Sequence, residues 1–195
     1  MGNSRAYPVF QTTDALAAYT QAKRLCALLT EREDDVWLFA ELLTVADVRR
    51  MAQVLPEADF DYADARTGPM GEDIWFDLDV TTMDDAALQP HLPLAILEEV
   101  PARNVEARFV AAVRQGMAAI EWHGLWPDDA EADQYGVAKY DGVQLVFHGD
   151  RAQLAAWTEH HTVFVHMTKW GDLPRARKLA AHIGSEVVGE QQLGW

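Results

Sequence analysis

The sequence predicts an α+β protein, in which helices and strands alternate along one chain of 195 residues. Two kinds of hydrophobic spacing indicate this class. Apolar residues recur every three or four positions in some segments, as in helices, and at every second position in others, as in strands. Glycines and prolines separate these segments. Apolar residues make up 49% of the chain, which is typical of a globular protein with a hydrophobic core.

The first predicted element is a helix over residues 13–30, where apolar residues recur at helical spacing. The run Val36–Leu43 is aromatic and aliphatic, which predicts a buried strand. A second helix is predicted over Val45–Leu55, because Thr44 can cap its start and a proline follows its end.

A hairpin is predicted next, from strands Asp59–Ala65 and Asp73–Thr82, joined by a turn that contains glycine and proline. Apolar residues occupy alternate positions of the second strand: Ile74, Phe76, Leu78 and Val80. The prolines within residues 84–101 leave room only for short helical turns. A helix over Val105–Gln115 and a strand over Met117–Leu125 complete this part of the chain.

In this order the elements give a helix followed by β-α-β-β-α-β, the ferredoxin-like arrangement of an antiparallel sheet with helices on one face. Residues 1–126 are therefore predicted to form a ferredoxin-like module. Residues 127–195 are predicted to be an α/β extension, which either lengthens the first sheet or forms a second small module. Its expected elements are an acidic linker over 127–133, a hairpin over 137–147, a helix over 150–158, a strand over 162–168, a helix over 174–183 and a short strand over 186–191.

The chain carries 31 acidic and 16 basic residues, and its formal charge is −15. A surface of this sign repels phosphate backbones and anionic lipids, so direct binding to nucleic acid or to a membrane is disfavoured. The segment from Glu31 to Asp85 contains sixteen acidic residues but only four arginines. This uneven charge favours a basic protein as partner.

The predicted sheet places the strand that begins at Val36 beside the strand that begins at Asp73, with strand 59–65 at the edge. Acidic and aromatic side chains then share one face, and the candidate partner-binding residues are Trp37, Asp59, Asp61, Trp75, Asp77 and Asp79. Aromatic anchors within a charged rim are typical of protein-binding hot spots. Two other interpretations stay open: an acidic face that only aids solubility, and tryptophans that belong to the core.

Histidines form the second candidate site, because His123, His148 and His166 lie in or at the end of predicted strands. Neutral imidazoles on neighbouring strands are able to bind a divalent metal or to act as a general base. A small metal-dependent or histidine-based enzyme is therefore the alternative function. The three histidines lack a short ligand spacing such as HExxH, so we expect separate structural side chains and no metal or cofactor.

Cysteine and serine usage narrows the chemistry further. The single cysteine, Cys26, excludes an internal disulfide and a cysteine-rich metal site, and it is expected to be a buried thiol. The two serines, Ser4 and Ser185, argue against a serine nucleophile. The first residues lack the apolar segment of a signal peptide, and no apolar run is long enough to span a membrane. A reducing cytoplasm is the expected location.

Three segments carry a family resemblance. Thr44–Leu55 corresponds to the first inner helix, Gly71–Trp75 (GEDIW) opens the third predicted strand, and Glu121–Trp126 (EWHGLW) closes the fourth. With these segments, residues 13–126 resemble the RraB-type protein regulators of ribonuclease E. The resemblance implies an acidic, non-catalytic inhibitor that binds a nuclease or its assembly. A nuclease inhibitor or a toxin-neutralising immunity protein is the concrete form of this expectation.

Overall fold

The computed structural model describes residues 3–102 and 105–195, and it confirms the predicted α+β class with a nine-stranded antiparallel sheet. The helices are α1 (Ala15–Cys26), α2 (Val45–Val54), α3 (Asp85–Leu88), α4 (Val105–Ala112) and α5 (Leu173–His182). The strands are β1 (Arg5–Thr12), β2 (Glu31–Arg32), β3 (Asp35–Leu42), β4 (Phe60–Tyr62), β5 (Arg66–Thr67), β6 (Asp73–Ile74), β7 (Leu94–Pro101), β8 (Ala118–Leu125), β9 (Gly142–Phe147), β10 (His161–Met167) and β11 (Gln192–Leu193). No helix in the described residues is both long and apolar enough to cross a membrane.

The same strand order occurs twice in this sheet. We call residues 31–126 the inner unit, which contains β3, α2, β4, β7, α4 and β8 in chain order. The outer unit is formed by the chain on either side of it and contains β1, α1, β9, β10, α5 and β11. The four strands just named for each unit are numbered here in chain order. In both units they lie side by side in the order 4-1-3-2. Strands β8 and β9 pair and join the two units into one sheet.

Local side chains explain where the helices begin. Asp14 accepts hydrogen bonds from the backbone N–H groups of Leu16 and Ala17 at the start of α1. Thr44 and Asp47 form a reciprocal capping box at the start of α2, which confirms the predicted cap. These side chains satisfy N–H groups that have no partner within the helix.

The predicted strand Asp73–Thr82 is wrong, because only Asp73–Ile74 pair as a strand, and they pair with β5. Strand β7 lies beside β3 instead. The apolar alternation does not define one sheet face, because Phe76 and Val80 are buried whereas Ile74 and Leu78 are 42% and 44% exposed. Phe76 packs edge-on against Tyr62 at 5.6 Å. The prolines near β7 stand before its first residue and at its last residue, where a missing N–H donor disrupts little pairing.

Three further expectations are corrected in the outer unit. Strand β1 lies before residue 13, where the sequence predicts no element, and it pairs with β10 along its length. The predicted hairpin over 137–147 is wrong, because only β9 is a strand there and its partners are β8 and β10. The predicted helix over 150–158 is absent; this segment instead packs Ala152 and Leu154 against the sheet.

The helices pack on one face of the sheet, where α1, α2, α4 and α5 contribute to a shared hydrophobic cluster with alternate strand residues. Glu106 of α4 is buried in this layer, with 2% of its surface exposed. Its carboxylate accepts hydrogen bonds from Lys23 Nζ at 2.6 Å, Tyr19 Oη at 2.9 Å and Trp122 Nε1 at 3.1 Å. This contact ties the outer helix α1 to α4 and β8 of the inner unit.

The acidic linker that follows β8 is held against α5 by the basic residues of that helix. Arg175 donates to the carbonyl oxygens of Pro127 and Gln134, and Lys178 pairs with Asp129 at 2.8 Å. The buried carboxylate of Asp141 closes the same segment by accepting the N–H groups of Trp126 and Val137. Burial raises the pKa of the Asp141 carboxyl to about 6, while these hydrogen bonds oppose the shift.

Replacing Asp141 by Asn should change how stability depends on pH. The folded pKa of about 6 lies above the unfolded value of about 3.9, so the folded state binds the proton more tightly. In the wild type, the Asp141 carboxyl makes its full contribution to the free energy of unfolding below about pH 4. This contribution is lost as the pH rises through about 6. The variant keeps an amide oxygen for both donors, so it should gain about 3 kcal/mol relative to the wild type as the pH rises from about 4 to above 6. Urea unfolding of both proteins across this range measures the change, and a constant stability difference would contradict it.

Candidate functional site

The sheet face opposite the helices is open in the inner unit, and it carries aromatic and acidic side chains. We call it the acidic face, and its residues are Trp37, Phe39 and Glu41 of β3, Asp61 of β4, Leu97 and Glu99 of β7, and Glu121 of β8. These four strands lie wholly within the described residues, and they contain no Lys or Arg. The face therefore combines apolar surface with negative charge.

Strand register sets the neighbours on this face. Trp37 lies opposite Glu99 on one side and Glu121 on the other. Phe39 lies opposite Leu97, whose side chain is 64% exposed. Residues directly opposite each other in an antiparallel pair have Cβ atoms about 5 Å apart. The half-buried ring of Trp37 is thus flanked by carboxylates across the sheet, whereas Phe39 lies beside the apolar Leu97.

The structure places two other predicted residues beside Asp61. Asp61 Oδ1 accepts the N–H group of Phe76 at 3.2 Å, which brings the segment after β6 close to the face. Trp75, in that segment, is 69% exposed and lines a cavity of about 170 Å³ together with Asp61. Asp59 lies just before β4 at the edge of the sheet, where its N–H group donates to Glu98 Oε1 at 2.6 Å.

Asp77 and Asp79 are exposed but lie outside the sheet, in the irregular segment that replaces the predicted strand. Asp79 accepts hydrogen bonds from the hydroxyl and N–H groups of Thr81, and these bonds lower the pKa of the Asp79 carboxyl. Sequence reasoning missed Leu97 and Glu99 because β7 was not predicted. The alternating run between Pro93 and Pro101 was the available signal.

The histidines fall into two separate clusters. His123 and His166, which form the first, lie on the same side of the sheet as the acidic face. His166 is fully buried in β10. The amide nitrogen of Gln144 donates hydrogen bonds to Glu121 Oε1 and to the carbonyl oxygen of Ala152. The amide oxygen of Gln144 therefore faces His166 and accepts a hydrogen bond from its Nε2–H group at 3.1 Å. His166 Nδ1 then accepts the hydroxyl of Ser4 at 2.8 Å. Burial lowers the pKa of His166 well below its usual value, which keeps the ring neutral.

Trp195 lies between His166 and His123. Its ring stacks on His166 at 3.5 Å and on His123 at 4.4 Å. Gly142 separates the two histidines in the sheet, and a Cβ there would lie 2.9 Å from the indole. A hydroxyl group hydrogen-bonded to an imidazole is the arrangement that activates a serine nucleophile. Ser4, however, is fully buried and lies against Gly194, so a substrate does not reach its hydroxyl group. Ser4 and His166 therefore form a buried structural hydrogen bond beneath Trp195.

His148 belongs to the other cluster, about 20 Å along β9 from Gly142 at the usual rise of a strand. The His148 ring stacks on Trp157 at 5.6 Å, and the backbone N–H group of His148 donates a hydrogen bond to His161 Nδ1 at 3.1 Å. Burial lowers the pKa of His161 to about 4. His123, His148 and His166 thus do not meet at one point.

Other reactive groups give no open site either. Within residues 3–102 and 105–195, no group of three or more His, Cys, Asp or Glu side chains is placed to hold a metal ion. Cys26 is buried in α1, and burial raises the pKa of its thiol to about 12, so the reactive thiolate is disfavoured. The acidic face, by contrast, is accessible from solvent, with Leu97 and Glu99 exposed on strand β7.

Comparison of the chain with protein-family models, with curated proteins and with solved structures finds no match. The geometry and charge of the acidic face are therefore the features from which a function is inferred. That face is suited to contact with a cationic surface, because its apolar centre is bordered by carboxylates.

Proposed function

We propose that the protein is an acidic, non-catalytic binding protein that docks a basic protein partner on the acidic face and masks it. The observation that carries this proposal is the position of Trp37 between Glu99 and Glu121, on strands that contain no Lys or Arg. Carboxylates speed encounter with a positive surface, and a desolvated aromatic ring slows dissociation. The two features together favour a specific interface over a face that only aids solubility.

The distribution of ion pairs supports the same proposal. Glu41, Asp61 and Glu99 form no ion pair with any described residue. By contrast, Lys23, Arg175 and Lys178 are paired with acidic residues inside the fold. The charge of these three carboxylates is therefore not neutralised by an ion pair within the described residues, and it is left for a partner.

The concrete form of the proposal is a nuclease inhibitor or a toxin-neutralising immunity protein that acts in the cytoplasm. The resemblance of residues 13–126 to RraB-type regulators of ribonuclease E points in this direction. The strand order of the inner unit, with α2 and α4 packed on one face, supports a ferredoxin-like fold for it. The buried, lone thiol of Cys26 is compatible with a reducing compartment.

Neutralising the acidic face should slow association with the partner. The partner is first recovered from native lysate on immobilised protein, identified by mass spectrometry and purified. The face variant combines Glu41→Gln, Asp61→Asn and Glu99→Gln. Its association rate at low ionic strength should fall about threefold to tenfold and depend less on salt, because long-range attraction is screened over ~10 Å.

A control variant with the same change in net charge combines Asp128→Asn, Glu186→Gln and Glu190→Gln, all exposed and in the outer unit. It should slow association less than the face variant. Stopped-flow or surface plasmon resonance measurements compare the two. Equal association rates for both variants and the wild type, at every salt concentration, would remove the support for electrostatic docking on this face.

Removing an aromatic anchor should act on dissociation instead. Trp37→Ala or Trp75→Ala should weaken binding about 30-fold, mainly through faster dissociation, if the ring occupies a hot spot. Trp170→Ala is the matched control, because this ring is 73% exposed at the start of the α5 region. Urea unfolding of each variant separates lost binding from lost stability, since Trp37 is half-buried. Unchanged dissociation of both test variants would mean that the partner docks elsewhere.

A further inference from the structure

The outer edge of β7 is only partly covered by its neighbour. Strand β4 pairs with Leu94, Ala95 and Ile96, whereas β7 continues to Pro101. On its other side β7 pairs with β3 along its whole length. In the part of the chain that the structure describes, residues 97–101 therefore have no strand on their outer side.

Two hydrogen bonds identify which backbone groups of this edge point outward. Ala63 donates to the carbonyl oxygen of Pro93 on the β4 side, and Ala102 donates to that of Asp34 on the β3 side. Backbone groups point to alternate sides along a strand, so odd-numbered residues of β7 face the β4 side. Glu99 therefore directs both its N–H group and its carbonyl oxygen to the uncovered edge.

The surfaces on either side of this edge suit the side chains of an added strand. On the helix side, Leu55, Pro56, Ala58 and Val100 line a cavity of about 180 Å³. On the opposite side lies the exposed side chain of Leu97. Successive side chains of a strand point to opposite faces, so an added strand would alternately fill the cavity and cover Leu97.

Charge decides between the possible occupants of this edge. Glu57 and Glu98 border the cavity, Glu99 lies on the other side, and none of the three pairs with a cation in the described residues. A second copy of this chain, with its charge of −15, would bring like charges together along the same edge. An extended segment rich in Lys or Arg would bring opposite charges together.

We propose that an extended, basic segment of the partner adds as a strand to the β7 edge at Glu99, with apolar side chains in the cavity beneath Val100. This inference rests on the proposed function and specifies how the partner binds. Backbone hydrogen bonds give such an interaction affinity for any extended chain, and the cavity and the carboxylates select its side chains.

The test uses two variants at one position and a defined probe. The probe is a fluorescent eight-residue peptide that alternates valine and lysine. Glu99→Gln removes the charge but keeps the N–H group. Glu99→Pro removes both, and it spares the pairing with β3 because this N–H group points away from that strand. The proline variant should bind the peptide at least about tenfold more weakly than the glutamine variant, as measured by fluorescence anisotropy.

A second arm leaves the protein unchanged, in case the proline variant does not fold. N-methylation of alternate residues of the peptide keeps its charge but blocks hydrogen bonds along one edge. Binding to wild-type protein should then be lost for one of the two methylation registers. Hydrogen exchange of the Glu99 amide should also slow when the unmethylated peptide is bound.

The outcomes separate this inference from the proposed function. Equal binding by both Glu99 variants, or by both methylated peptides and the parent, would overturn strand addition. So would an absence of binding between the parent peptide and wild-type protein. If the purified partner still depends on Trp37 and on the carboxylates of the acidic face, the proposed function stands without strand addition. If the peptide adds at β7 but fails to compete with the partner, the peptide site is separate and this mode is excluded for that partner.

Discussion

The buried carboxylate of Glu106 is the interaction on which the arrangement of the two units depends. An ionised carboxylate without partners in the protein interior costs several kcal/mol, whereas Glu106 accepts hydrogen bonds from three donors. Two of these donors belong to α1 and one to β8. The hydrogen bonds of Glu106 therefore hold helix α1 of the outer unit against the inner unit, on the same side of the continuous sheet as the other helices. In the inner unit the other side of the sheet is left open, and it carries the acidic face.

Elements with a strong local pattern could be predicted from the sequence. Strand β3, helices α2, α4 and α5, and strand β10 all lie close to their expected bounds. The helices have apolar residues at helical spacing, and the two strands are short apolar runs bounded by polar residues. Their pairing order depends on contacts between distant residues, such as that of Arg5 with Met167, and no local pattern encodes such a contact. For this reason the sequence does not predict strand β1 or the insertion of the inner unit into the outer unit.

The candidate site shows the same limit at the level of single residues. Trp37 and Asp61 were found because their own strands were predicted, and their strands do share a face. Asp77 and Asp79 were misplaced because the alternating apolar residues of Ile74–Val80 do not share one buried face: Phe76 and Val80 are buried, whereas Ile74 and Leu78 are exposed. Similarly, each histidine could be assigned to the end of a strand. The strand register then places His123 and His166 where both rings stack on Trp195, whereas the His148 ring stacks on Trp157.

Insertion of the inner unit into the outer unit has a consequence for synthesis on the ribosome. The segment that forms β1 and α1 emerges first, but β10, the long partner of β1, emerges only after residue 160. At usual translation rates this interval lasts roughly ten to thirty seconds. The inner unit can complete its own pairing within that time, while the amphipathic β1–α1 segment waits with its apolar side uncovered. Co-translational folding of this chain therefore proceeds from the middle outward, and the nascent amino-terminal segment is where we expect molecular chaperones to bind.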